Sequence, residues 1–247
     1  MTPNKLTMTK SIVISECDSS SRMRPQQALN MFQDVAEQHA NIMGIGGHDL
    51  LEQSNALWVV TRTKTIFNKL PKANDEITVL TWPAGANGVR CDRNYSIIKD
   101  GESIINGISE WVIIDATTRR LRRVETTNYP TDIEWLTERA IDTPFSKLKD
   151  DFSEEDFVFE QTVRANDIDS SKHTNNVVYC TLLLNTFSVK ELESMTIKEI
   201  EIAYHSESRE GDTLRIYKQK RDDGYYFAIK NNQNALMTLA VLKFENQ

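Results

Sequence analysis

A long amphipathic helix followed by four alternating strands occurs twice along this chain, and that repetition restricts the fold more than any other feature. In the first half Leu29, Phe32, Ala36, Ala40 and Met43 recur every three or four residues, which predicts a helix over 25–43 with one buried face. Pro25 suits its first turn, and Gly44, Gly46 and Gly47 suit its end. Period-two, β-branched segments follow at 57–67, 76–82, 88–99 and 102–115, with Asp100-Gly101 as a hairpin turn. The second half repeats the order: a strand at 157–164, a polar turn at 166–175, an apolar helix over 176–192, then strands at 197–206, 213–221, 225–231 and 235–244. Asp18-Ser19-Ser20 ahead of the first helix returns as Asp169-Ser170-Ser171, 151 residues on, and the segment 67–75 returns as 204–212. The expected product is a duplicated α+β chain, each unit a curved antiparallel sheet wrapped around one long helix. The units are expected at 1–128 and 157–247 with a polar connector at 129–156, their edges paired into one continuous sheet.

Composition removes several functional classes. The 29 basic and 36 acidic residues leave a net charge of −7, the wrong sign for a non-specific nucleic-acid binder. The longest nearly apolar stretch, 177–184, is too short to span a bilayer, and residues 1–10 lack the apolar centre of a signal peptide. The three cysteines, Cys17, Cys91 and Cys180, have neither metal-ligand nor C-x-x-C spacing, so no metal, cofactor or disulfide is expected and a reducing cytoplasm fits best.

The densest group of functional side chains is the turn 166–176, Asn-Asp-Ile-Asp-Ser-Ser-Lys-His-Thr-Asn-Asn. It opens a helix, where free N–H groups and the helix dipole can hold a carbonyl oxygen that is gaining charge. Asp169 lies four residues before His173, close enough in sequence for the carboxylate to fix the imidazole tautomer. Capping alone would also gather Asp, Ser and Asn here, but histidine has no special capping role. Glu207, at the end of the strand 197–206, is a second candidate. At the matching first-half positions stand Arg22 and Leu70, so one site is expected rather than two. No G-x-S-x-G, Gly-rich phosphate loop or H-E-x-x-H sequence occurs. His39 and His205 read as packing or edge residues, His48 as part of a Gly-rich loop, and Cys180 as a buried, inert thiol.

Two long stretches resemble the acyl-acyl-carrier-protein thioesterases. One runs from Leu57-Trp58-Val59-Val60-Thr61-Arg62 through Thr81-Trp82, Asn87-Gly88 and Trp111-Val112 to Thr118-Arg119-Arg120-Leu121; the other is Asp169 to Tyr179 followed by Tyr204-His205-Ser206-Glu207-Ser208. The second resembles the family patterns D-x-N-x-H-x-N-N-x-x-Y and Y-x-x-E-C. The resemblance implies a tandem double hot-dog and a hydrolytic site of Asp169, His173 and Glu207, with Ser171, Asn175, Asn176 and Ser208 in support. It departs from the family at Ser171, where Asn is usual, and at Ser208, where Cys is usual. A Cys–His–Asn mechanism therefore lacks its thiol and its amide. The mechanism implied instead is attack on the thioester by a water that Glu207, aided by Asp169, activates.

The same resemblance implies an acyl-chain tunnel in the first unit, with Met31, Val35, Met43, Trp58, Val60 and Ile66 as its candidate lining. An acidic enzyme that meets an acidic carrier protein needs a local basic patch, and Arg119, Arg120, Arg122 and Arg123 supply four arginines in five residues. The expected reaction is hydrolysis of acyl-carrier protein to free fatty acid, by a chain that is either monomeric or a homodimer. The rivals are an acyl-coenzyme A thioesterase, a non-catalytic acyl- or carrier-binding module, and a hydroxyacyl-thioester dehydratase.

Overall fold

The computed structural model describes residues 3–130 and 133–246; residues 131 and 132 of the expected connector lie outside them. The chain divides into two compact units, Met1–Thr143 and Pro144–Gln247. Half of the polar connector thus packs with the first unit and half with the second.

In the first unit β1 (Leu6–Ser11), α1 (Gln26–Ile42) and α2 (Gly47–Ser54) precede the strands β2 (Ala56–Phe67), β3 (Glu76–Asn87), β4 (Arg90–Lys99), β5 (Glu102–Asp115) and the short β6 (Leu121–Arg122). The strands pair antiparallel in the order β1-β3-β4-β5-β2, and β6 adds to the end of β5. Helix α1 buries Leu29, Phe32, Val35, Ala36, His39 and Ala40, the stripe that its spacing predicts plus the intervening positions. Gly44 takes a left-handed φ of 70°, and the Ile45 N–H returns to the Ala40 carbonyl at 2.9 Å, which stops the helix. Phe32 defines which sheet face the helix covers. A Cβ on Gly107 of β5 would lie 2.4 Å from its ring, so only glycine admits the ring there, and Tyr95 of β4 stacks on it at 4.6 Å between centroids.

Two expectations fail in this unit. His48 lies in the first turn of α2 rather than in a loop, and at 3.7 Å from Glu52 it makes an exposed i,i+4 pair. Ile66 faces away from α1. The pairing of β2 with β5 slips between Val60 and Arg62, and this bulge changes the alternation. Thr65, opposite Gly107, is therefore on the helix side and Ile66, opposite Asn106, is on the other.

In the second unit β7 (Phe157–Thr162) leads to α3 (Asn176–Leu184) and α4 (Val189–Ser194), then to β8 (Met195–Tyr204), β9 (Thr213–Arg221), β10 (Gly224–Asn231) and β11 (Leu236–Asn246). The strand order is β8-β11-β10-β9-β7, again antiparallel. The single helix expected over 176–192 is two. Ser188 caps α4 with a reciprocal pair, its N–H donating to the Glu191 carboxylate at 2.7 Å and its hydroxyl accepting from the Glu191 N–H at 3.3 Å, a local signal that breaks the apolar run. Helix α3 is buried at Val177, Tyr179, Cys180, Leu182, Leu183 and Leu184, consistent with a helix enclosed by its sheet. No helix is long and apolar enough to cross a membrane among the described residues.

Candidate active site

The polar turn before α3 is held by backbone bonds at both ends. The Val163 N–H donates to the Asp212 carbonyl at 2.8 Å and the Thr174 N–H to the Ser208 carbonyl at 2.9 Å. Within the turn the Asp169 N–H donates to the His173 carbonyl and the Lys172 N–H to the Asp169 carbonyl, both at 3.0 Å. Lys172 takes a left-handed φ of 64° to close it. The Asn175 N–H reaches the Asp167 carbonyl at 2.8 Å, and its side chain caps α3 by accepting the Val177 N–H at 2.9 Å.

Ser208 joins the two segments that carry the site. It is 0% exposed, and its hydroxyl lies 2.7 Å from the Thr174 hydroxyl and 2.8 Å from the Tyr179 hydroxyl. One residue before each side of this junction stand His173 and Glu207, whose Nε2 and Oε2 are 3.1 Å apart. The imidazole is half-buried and the carboxylate reaches solvent. Arg209 approaches the same Nε2 at 3.3 Å. Only one of the two contacts can be a hydrogen bond for a given tautomer: Nε2–H donates to Glu207, or its lone pair accepts from Arg209. Ser208→Ala removes the shared partner of two buried hydroxyls. It is expected to cost about 1–3 kcal/mol, read as a lower melting temperature, with kcat per folded molecule retained.

The first unit repeats this loop bond for bond. The Ile12 N–H donates to the Asp75 carbonyl at 2.9 Å, the Asp18 N–H to the Arg22 carbonyl at 2.8 Å, the Met23 N–H to the Pro71 carbonyl at 2.8 Å and the Arg24 N–H to the Glu16 carbonyl at 2.9 Å. Each corresponds to a bond of the second unit, and Ser21, with φ 57°, corresponds to Lys172. Arg22 thus takes the place of His173 and Leu70 that of Glu207, as the sequence comparison predicts. Asp18 differs from its counterpart in pairing with the side chain four residues on, Arg22 Nε to Asp18 Oδ2 at 3.1 Å.

Asp169 does not pair with His173 through its carboxylate, contrary to expectation. Its Oδ1 accepts the Ser171 N–H at 2.9 Å and also the Ser171 hydroxyl, so the turn consumes it. Ser171, where the family usually has Asn, therefore has a defined partner. Asn176 opens α3 and its carbonyl accepts from the Tyr204 hydroxyl at 3.4 Å. No motif marks Arg209; its position two residues beyond Glu207 in the same strand-end turn is the available signal.

Of the remaining candidates, Met31, Val35 and Val60 are buried in the first unit. Met43 and Trp58 belong to a packed cluster with Ile45, Leu50, Ile113 and Tyr129, and Trp58 Nε1 donates to the Ile45 carbonyl at 2.9 Å. Arg119, Arg120 and Arg123 are exposed. Arg122 is not part of an open patch: its guanidinium donates to the carbonyls of Ser54 and Thr126. Cys180 is fully buried, and burial pushes its thiol up to about 12. Among the described residues no group of His, Cys, Asp and Glu is arranged to hold a metal.

The family model for the acyl-ACP thioesterase N-terminal domain matches residues 3–129, and that for the C-terminal domain of the same family matches residues 150–246. The chain belongs to the acyl-ACP thioesterase family. It is 27% identical over 206 residues to a palmitoyl-acyl carrier protein thioesterase, chloroplastic, of Arabidopsis thaliana, covering 77% of this chain and 49% of that protein. It spans about half the length of the curated plant relatives it matches. The fold resembles the crystal structure of an acyl-ACP thioesterase from Bacteroides thetaiotaomicron, with a TM-score of 0.89, 24% identity and 98% of each chain covered. It also resembles a 12:0-ACP thioesterase from Umbellularia californica, with a TM-score of 0.86, 19% identity and coverage of 100% of this chain and 99% of that one. These similarities establish the double hot-dog fold.

Proposed function

We propose that this chain hydrolyses the thioester of acyl-acyl carrier protein, and that Glu207 and His173 carry the reaction. The observation that supports this most is the 3.1 Å contact between His173 Nε2 and Glu207 Oε2 at the entrance of α3, in a duplicated loop whose other copy carries Arg22 and Leu70 in their places. Glu207 takes a proton from water as its oxygen bonds to the thioester carbonyl carbon. The tetrahedral intermediate then collapses with cleavage of the C–S bond, and the proton passes from Glu207 to the departing sulfur. His173 holds Glu207 through Nε2–H in the resting site, and the same hydrogen turns to the oxyanion once Glu207 has taken its proton, together with the Asn176 N–H at the positive end of α3. The Val177 N–H is already committed to the Asn175 cap. Asp169 acts by holding the turn that presents His173.

In this reading the acyl chain lies in the first unit, beside Met31, Val35 and Val60, with Met43 and Trp58 as its end wall. The docking patch for carrier protein is Arg119, Arg120 and Arg123, with Arg122 as its internal brace. Reversing the three exposed charges to Glu is expected to raise KM for acyl-carrier protein roughly tenfold, at a few tenths to one kcal/mol each. KM for an acyl thioester of a small thiol should stay unchanged, and an equal effect on both substrates would remove the patch from the docking surface. We place the reaction in a reducing cytoplasm, in keeping with three free, buried cysteines. A homodimer is the assembly to test by light scattering. The deciding experiment offers a ladder of acyl-carrier-protein and acyl-coenzyme A thioesters to wild type and Glu207→Gln and follows free acid. Acid release from the carrier series by wild type alone is expected. Release from neither series would favour a binding module, and water elimination from 3-hydroxyacyl substrates a lyase.

A further inference from the structure

The first unit buries a cation that the proposed reaction does not use. Arg93 of β4 pairs with Ser109 of β5, two residues from the Tyr95–Gly107 pair that packs on Phe32, so it points to the face covered by α1. It is 8% exposed. Its two hydrogen-bond partners are His39 Nδ1 at 3.1 Å and Thr81 Oγ1 at 3.3 Å, and both use the single nitrogen Nη1. The three N–H donors on Nε and Nη2 have no partner among the described residues.

Glu37, on the exposed side of α1, acts on this charge from a distance without forming an ion pair with it. His39 is fully buried. Its Nε2 faces the Pro3 carbonyl at 2.8 Å, which can only accept, so Nε2 carries the proton and Nδ1 is left as an acceptor for Arg93. The imidazole is therefore neutral, as burial and the adjacent guanidinium both favour. Cys91, one pleat along the same face, has its thiol pushed up to about 12 by burial. Trp111 Nε1–H donates to Ser109 Oγ at 2.7 Å, and the Tyr95 hydroxyl lies 2.8 Å from the same oxygen. No carboxylate forms an ion pair with Arg93 among the described residues. An unpaired buried ion is strongly unfavourable, and a guanidinium with two nitrogens facing the same way is shaped for a bidentate carboxylate.

We propose that the interior of the first unit is a binding site for the carboxylate of an aliphatic chain, with the Nε and Nη2 donors of Arg93 as its anchor. The carboxylate has two sources: a free fatty acid, or an acyl substrate that carries a second carboxyl group. Binding is tested apart from hydrolysis, so that failure here leaves the thioesterase reading standing and the reverse also holds. Decanoate and methyl decanoate are titrated by calorimetry into wild type and Arg93→Met. We expect wild type to bind the acid at least tenfold more tightly than the ester, and Arg93→Met to bind both alike. Equal binding by wild type means that water solvates the guanidinium, and overturns the site even if Arg93→Met fails to fold. A preference for the acid that survives in Arg93→Met overturns it as well. A thioester with a terminal carboxylate, compared with its plain counterpart, separates the sources. A tenfold gain in kcat/KM that Arg93→Met abolishes assigns the site to substrate, and inhibition by decanoate without that gain assigns it to free acid.

Discussion

Glu207→Ala is expected to lower kcat for acyl-carrier protein by about 10²–10⁴-fold, the usual worth of a positioned general base, while Cys180→Ala leaves kcat where it was. The contrast follows from burial. Cys180 sits inside α3 with its thiol pushed up to about 12 by burial, so it stays a thiol and offers no nucleophile. Ser208, where the family usually has cysteine, is 0% exposed with its hydroxyl shared between Thr174 and Tyr179. In this chain the side chain in that place joins two loops. Glu207 is the one carboxylate in ion-pair contact with His173 among the described residues, and it is open to water. Free-acid release at saturating substrate, with folding checked by melting temperature, measures both variants. A dead Cys180→Ala beside an active Glu207→Ala would sink the assignment.

The duplication was legible because it is written in two kinds of signal at once. Period and turn residues gave the strands 102–115 and 213–221 to the residue. The offset that aligns Asp18 with Asp169 also aligned Arg22 with His173, and the backbone bonds of the two loops confirm that pairing. What stayed hidden depends on contacts between distant segments. The bulge after Val60 that turns Ile66 outward has no marker such as glycine, since it arises from how β2 matches β5. The division of the second helix at Ser188 was visible as Ser-Val-Lys-Glu, but the apolar run 177–184 outweighed it. The pairing of Asp169 with His173 rested on spacing that suits a helix. In a turn the same spacing brings the two backbones together and leaves the carboxylate to Ser171. Arg122 is turned away from the exposed run for a similar reason: a charge run in sequence does not say which member is consumed by carbonyl oxygens.

His173→Ala is expected to reduce kcat by about 10²–10³-fold, the range found when one oxyanion donor is removed. Asp169→Asn should cost no more than about a tenth of that in fold terms, because Asn keeps an Oδ1 able to accept from the Ser171 N–H and so preserves the turn. A steeper loss for Asp169→Asn than for His173→Ala would make Asp169 the group that activates water and reduce His173 to its support. The His173 variant has a second effect that can be separated from the first. Arg209, 3.3 Å from His173 Nε2, loses its neighbour and is expected to turn to Glu207, where a salt bridge would occupy the carboxylate that water must reach. The double variant His173→Ala, Arg209→Ala removes that trap. It should recover part of the kcat lost in His173→Ala alone. Recovery without His173 would show that Glu207 is the base in its own right, whereas a double variant no faster than the single one would place the whole loss in the missing imidazole.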